Sequence, residues 1–161
     1  MFDPSELLRV LKRHDVSFVL IGGMAAILYG SDVVTMDIDV TPQRDTENLE
    51  RLAGALEEME AKIRTEGSDE GLAFSPDADS LQKMEMLKLI TKFGDLDVVM
   101  SPAGLGSYSG IVKRSTPLTI EGVTIEVASL GDIVHSKEAS NREKDRAALP
   151  ALKRLLRRTE G

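Results

Sequence analysis

The feature that most constrains this chain is Met36-Asp37-Ile38-Asp39-Val40, where two carboxylates alternate with apolar residues. Side chains on a strand alternate faces. Asp37 and Asp39 therefore share one face, and Met36, Ile38 and Val40 the other. Upstream, the apolar run Phe18 to Ile21 ends in Gly22-Gly23, and a short apolar segment stops at Gly30. Neighbouring carboxylates repel when drawn out of water, so water or a divalent cation is the cheapest way to keep both ionised. Oxygen-only donors favour hard ions such as magnesium. A glycine pair between a strand and a helix leaves backbone N–H groups open at the helix start, which suits phosphate. The stretch implies phosphate handled beside a hard cation.

The rest of the composition narrows the setting. A chain of 161 residues fits one domain, 1–161, with a core over about 16–127 and C-terminal helices over about 129–158. The net charge of −7 argues against a general nucleic-acid binder, and 4% aromatic residues leave little for stacking bases. The absence of cysteine excludes disulfides and thiolate metal sites. No run approaches the roughly 20 apolar residues of a membrane span, and MFDPSELLRV lacks a signal-peptide core. These features predict a soluble cytoplasmic protein without a membrane partner.

Read in order, Asp3-Pro4-Ser5-Glu6 is a helix start, followed by Leu7, Leu8 and Leu11 on one face and an end near His14. Val16 to Ile21 reads as a buried strand, Met24 to Tyr29 as a short helix, and Val33 to Thr41 as the carboxylate strand. Leu49, Leu52, Ala53, Leu56 and Ile63 keep helical spacing, which predicts a helix from Thr46 to about Arg64. Glu66 to Ser80 is rich in Gly, Ser, Asp and Glu and reads as a loop, as does Ser101 to Gly110. Met84 to Lys92 and Leu96 to Met100 flank a Gly-Asp turn, and Leu118 to Ile120 and Val123 to Val127 flank Glu121-Gly122, giving two hairpins. Ser129 with Asp132 three residues on is a capping box, and a last helix is predicted from about Glu143 to Arg158. Early alternation of strands and helices with late hairpins predicts an α/β (α+β) fold, a mixed sheet of about five strands flanked by helices.

Several side chains are candidates for chemistry. Asp97 lies in the apolar run Leu96 to Met100, where a lone buried acid is costly. It either sits at an edge in water or shares a cation with Asp37 and Asp39, whereas Asp95 reads as a turn residue. Leu130, Ile133, Val134 and Lys137 fall on one helical stripe, so Lys137 either snorkels to water or reaches a phosphate. Ser31 and Thr35 can bond a phosphate or serve their own turn. Arg142, Lys144, Asp145 and Arg146 form a charged cluster, and Lys153, Arg154, Arg157 and Arg158 make the C-terminus basic, which suits a helix dipole without any ligand. The glycines match neither the dinucleotide fingerprint nor the Walker loop. His14 and His135 have no metal-ligand spacing.

Taken together, Ile21-Gly22-Gly23 followed by Asp37-Ile38-Asp39, with Asp97 in LDVV, resembles the DNA polymerase β-like nucleotidyltransferase superfamily. KFGDLDVV, VTIEVASLGDIVHSKEASNREKD and the final leucine-rich helix are similar to small bacterial members, of the abortive-infection toxin type and the antibiotic nucleotidylyltransferases. The resemblance covers most of the chain and implies the nucleotidyltransferase fold. The run Ser-Lys then Arg-x-Lys-Asp puts Lys137, Arg142, Lys144 and Asp145 on family-like positions. Two departures stand out: Gly23 occupies a position where many relatives have Ser, and the extra helical domain of many relatives is lacking.

The resemblance implies transfer of a nucleoside monophosphate from a nucleoside triphosphate, ATP among the candidates, to an acceptor: RNA such as a tRNA end, a protein side chain, or a small-molecule hydroxyl. It implies two magnesium ions held by Asp37, Asp39 and Asp97, with Lys137 on the triphosphate. Gly22, Gly23, Ser31, Thr35 and Arg142 are the further nucleotide-binding candidates. An antitoxin-like partner or a homodimer would complete so small a site. The rival expectation is a catalytically silent module that binds nucleotide or another protein.

Overall fold

The computed structural model describes residues 2–160. Its centre is an eight-stranded mixed sheet of order β4-β3-β5-β6-β2-β1-β8-β7. The strands are β1 (Phe18–Ile21), β2 (Asp37–Pro42), β3 (Lys62–Thr65), β4 (Ser68–Leu72), β5 (Met86–Thr91), β6 (Gly94–Val99), β7 (Thr116–Ile120) and β8 (Val123–Val127). The helices are α1 (Pro4–Arg13), α2 (Gly22–Leu28), α3 (Thr46–Glu58), α4 (Ala78–Gln82), α5 (Tyr108–Arg114), α6 (Leu130–Ser140) and α7 (Glu143–Glu160). The mixed sheet with flanking helices is the expected class, but with eight strands rather than about five.

Local chemistry sets most boundaries. Asp3 accepts from the Glu6 backbone N–H at 3.2 Å and starts α1, with Pro4 in its first turn. Asp45, Asp77 and Ser129 cap α3, α4 and α6 in the same way, at 2.9, 2.8 and 3.0 Å. The α6 helix ends at Asn141 in a left-handed conformation, φ 49°. Buried Asn48 accepts from the Ser17 N–H at 2.7 Å and donates to the carbonyls of Ser17 and Gln43 at 2.9 and 2.7 Å. It thereby locks the start of β1 to the end of β2.

Three expectations are corrected. The helix predicted to reach Arg64 stops at Glu58, because Glu60 turns left-handed at φ 54° and the Met59 carbonyl accepts from the Lys92 N–H at 3.0 Å. Ile63 fits the helical spacing but lies on β3. The loop predicted over Glu66 to Ser80 holds β4 and α4, since Gly67 at φ 77° turns the chain back on β3. The loop predicted over Ser101 to Gly110 already contains the start of α5.

Strand alternation divides the sheet into two unlike faces. Leu20, Ile38, Val40, Leu87, Leu89, Leu96 and Val98 point one way and join Leu7, Leu8 and Leu11 of α1 and Leu49, Leu52 and Leu56 of α3 in one buried cluster. Each such side chain, fully buried, contributes about 1.5–3 kcal/mol. On the opposite face, α2 lies against β1 and β2 and contacts α6, which packs on α7. Across β5 and β6 that face stays open: Met86 and Lys88 are exposed and Ile90 is half-buried.

Candidate active site

Parallel pairing of β2 with β6 sets Asp37 opposite Asp95 and Asp39 opposite Asp97. All four carboxylates therefore stand on the open face. One oxygen from each of Asp37, Asp39 and Asp97 lies within 4.8 Å of the other two. The packing that holds them is tight. Gly22 has φ 75°, and a Cβ there would run into the Asp39 carboxylate. Only glycine lets α2 begin so close to that acid. At Gly23 a Cβ would sit 3.2 Å from the Thr35 Cβ, a tight contact.

The electrostatics of the three acids are uneven. Burial, the charges of Asp37 and Asp97 and a hydrogen bond with Asp97 push the Asp39 carboxyl up to about 7, and Lys144 pulls it down. Burial also raises Asp97, against the opposing pull of Arg64 and Lys88. Ionising all three acids together is therefore costly. An all-oxygen cluster that resists full ionisation by itself fits a hard divalent ion such as magnesium.

The other predicted residues divide. Thr35 donates to Asp37 Oδ1 at 2.9 Å, so it orients a carboxylate. Ser31 accepts from the Val33 N–H at 3.2 Å and serves its own turn. Ser31 also lines a groove of about 210 Å³ against Arg154 and Arg158 of α7, and none of the three acids borders it. Lys137 Nζ lies 3.5 Å from Asp145 Oδ1, and Arg142 Nε donates to Asp145 Oδ2 at 2.9 Å. Both cations are drawn to one fully buried acid. Asp95 is more than a turn residue, because Arg64 holds it at 2.8 Å and Asp97 with its other nitrogen.

Sequence reasoning missed two functional candidates. Arg64 was absorbed into an overlong helix, although Lys62-Ile63-Arg64-Thr65 alternates as a strand does. Lys144 was read as part of a charged cluster and on a family-like position but was given no role, yet it is a cation whose charge favours ionised Asp39.

Residues 3–155 match the family described as nucleotidyltransferase of unknown function (DUF6036). The chain belongs to that family. No curated protein matches the sequence of this nucleotidyltransferase family member. Three solved structures share its fold. The lincosamide antibiotic adenylyltransferase LnuA, with lincomycin bound, is 16% identical at a TM-score of 0.61, over 94% of this chain and 95% of that one. The antibiotic-resistance factor ANT(2'')-Ia is 16% identical at 0.60, over 98% and 82%. TM1012 of Thermotoga maritima, described as a nucleotidyltransferase, is 17% identical at 0.57, over 94% of each chain. Among the described residues no helix is long and apolar enough to cross a membrane.

Proposed function

We propose that this chain moves a nucleoside monophosphate from a nucleoside triphosphate to an acceptor hydroxyl, with magnesium held by Asp37, Asp39 and Asp97. The observation that carries the reading is the convergence of those three acids within 4.8 Å beside the start of α2. Two bound magnesium ions would neutralise the triphosphate and lower the pKa of the attacking hydroxyl.

The chain's own groups divide the remaining work. Gly22 and Gly23 open the first turn of α2, which has no side-chain cap, and its N–H groups would receive phosphate. Lys144 adds positive charge beside Asp39, while Lys137 and Arg142, gathered on Asp145, fix the α6–α7 joint that carries Lys144. Thr35 holds Asp37, and Arg64 holds Asp97 in the orientation that meets the acceptor hydroxyl. The acceptor oxygen bonds to the α-phosphorus, the bond to the bridging oxygen breaks, and pyrophosphate leaves. Asp97 takes or directs the hydroxyl proton.

The test is pyrophosphate release with each triphosphate, magnesium and cell extract. Wild-type protein releases pyrophosphate, and Asp37→Ala does not while unfolding at the same denaturant concentration. Full activity in Asp37→Ala overturns the assignment. Nucleotide binding without release by wild-type protein leaves the silent module. A toxin role extends the same reading: induction of wild-type protein arrests growth, and induction of the Asp37→Ala variant does not.

A further inference from the structure

Register carries the row of charges beyond Asp97. Asp39 pairs with Asp97, Asp97 with Lys88, and Lys62 with Ile90 on the next strand out. Side chains at paired positions share a face, so Lys62, Arg64, Lys88, Met86 and Ile90 stand on the same open face as the acids. Arg64 is occupied by Asp95 and Asp97. Lys62 and Lys88 make no ion pair among the described residues, although the chain carries net charge −7. They are diagonal neighbours, about 7–8 Å apart at the backbone, so their long side chains can close on one anion. Beside them Met86 is 53% exposed, a large apolar side chain left in water.

Transfer geometry says what approaches from this side. The attacking and leaving oxygens of phosphoryl transfer lie roughly in line. In the reading above, pyrophosphate leaves on the side of Gly22 and Lys144. The acceptor therefore enters from the opposite side, over β6, β5 and β3. Lys88 stands directly beside Asp97 and Lys62 one strand farther out, and a cationic acceptor would be repelled there. Adjacent strands are about 4.8 Å apart, so Asp97 and β3 are on the order of 10 Å apart. That span fits one small molecule, and two free lysines are too few for a polyanion in an acidic chain.

We infer that the acceptor is a small hydroxyl compound carrying a phosphate group, seated on the open face of β6, β5 and β3 with its phosphate between Lys62 and Lys88, its body on Met86 and Ile90, and its hydroxyl at Asp97. This rests on the nucleotidyl-transfer reading, and the test separates the two. Pyrophosphate release in buffer alone, with transfer to water, reports the transfer chemistry. Labelled triphosphate is then incubated with the small-molecule filtrate of a cell extract, with the retained RNA and protein, and with ribose 5-phosphate, glycerol 3-phosphate, ribose and glycerol as defined probes. Label is expected in phosphate-bearing small molecules. In Lys62→Gln the KM for that acceptor rises about tenfold or more, release in buffer stays within about twofold, and Lys62→Arg restores the KM. Label in unphosphorylated compounds, RNA or protein, no label at all, or an unchanged KM in the glutamine variant overturns the inference. If release in buffer is absent too, the transfer reading itself has failed.

Discussion

Asp39 and Asp145 are both drawn out of water, and their surroundings drive them in opposite directions. Asp145 is fully buried, yet Ser140 donates to it at 2.5 Å, Arg142 at 2.9 Å, and Lys137 lies at 3.5 Å. Burial works against its charge, but these donors outweigh it and hold the carboxyl well below the usual range. Asp39 is less buried and faces two acids, so its carboxyl rises to about 7. One carboxylate is satisfied by its own chain and acts as a joint. The other is left wanting positive charge, which a bound cation would supply.

The comparison breaks most visibly in activity. Asp39→Asn is expected to lower transfer by about a thousandfold or more, several kcal/mol of transition-state stabilisation, measured as pyrophosphate release. The same change should not weaken the fold. Asp39 binds its proton more tightly folded than unfolded, so wild-type stability falls relative to Asp39→Asn as pH rises from about 4 to about 7. Urea unfolding of both proteins across that range checks the sign, and a margin that shrinks with pH contradicts it.

Magnesium addresses the same imbalance. At pH 7 a hundredfold excess over Kd stabilises the folded state by about 2.7 kcal/mol, a rise in Tm on the order of 5–10 °C, and the rise vanishes in Asp39→Asn. Asp145→Asn should behave in the reverse manner. It costs about 2 kcal/mol of stability from lost charged hydrogen bonds, and the loss grows as pH rises toward about 4 and levels off above it, because folded Asp145 is already charged well below the range in which the unfolded carboxyl ionises. Turnover per folded molecule changes little. The smallest effect is expected at Arg64→Ala, about a tenfold loss of transfer as Asp97 loses its orienting partner, with Arg64→Lys recovering part of it.

Asp37 and Asp39 were legible from sequence because alternation alone assigns two residues that are two apart to one face, whereas Asp97 in its apolar strand was left between an edge and a shared site and was joined to them only by the family resemblance. The caps at Asp3 and Ser129 were legible because each needs only a side chain three residues away. What sequence could not show depends on distant partners. Ile63 continues the spacing of Leu52 and Leu56, so the helix seemed to run through β3, and Arg64 disappeared into it. The polar stretch 66–80 hid β4 because an edge strand has little to bury. Lys137 lies on the apolar stripe of α6, yet its ammonium is drawn to Asp145, and only the fold shows that Lys144 answers Asp39.

Residues that follow one another on β3 and β5 look alternately into the core and out over the acids. Side chains at positions 62, 86, 88 and 90 can therefore be exchanged without disturbing a single packed leucine. If the acceptor sits there as proposed, a few substitutions would change the compound modified while the row of acids stays fixed next door.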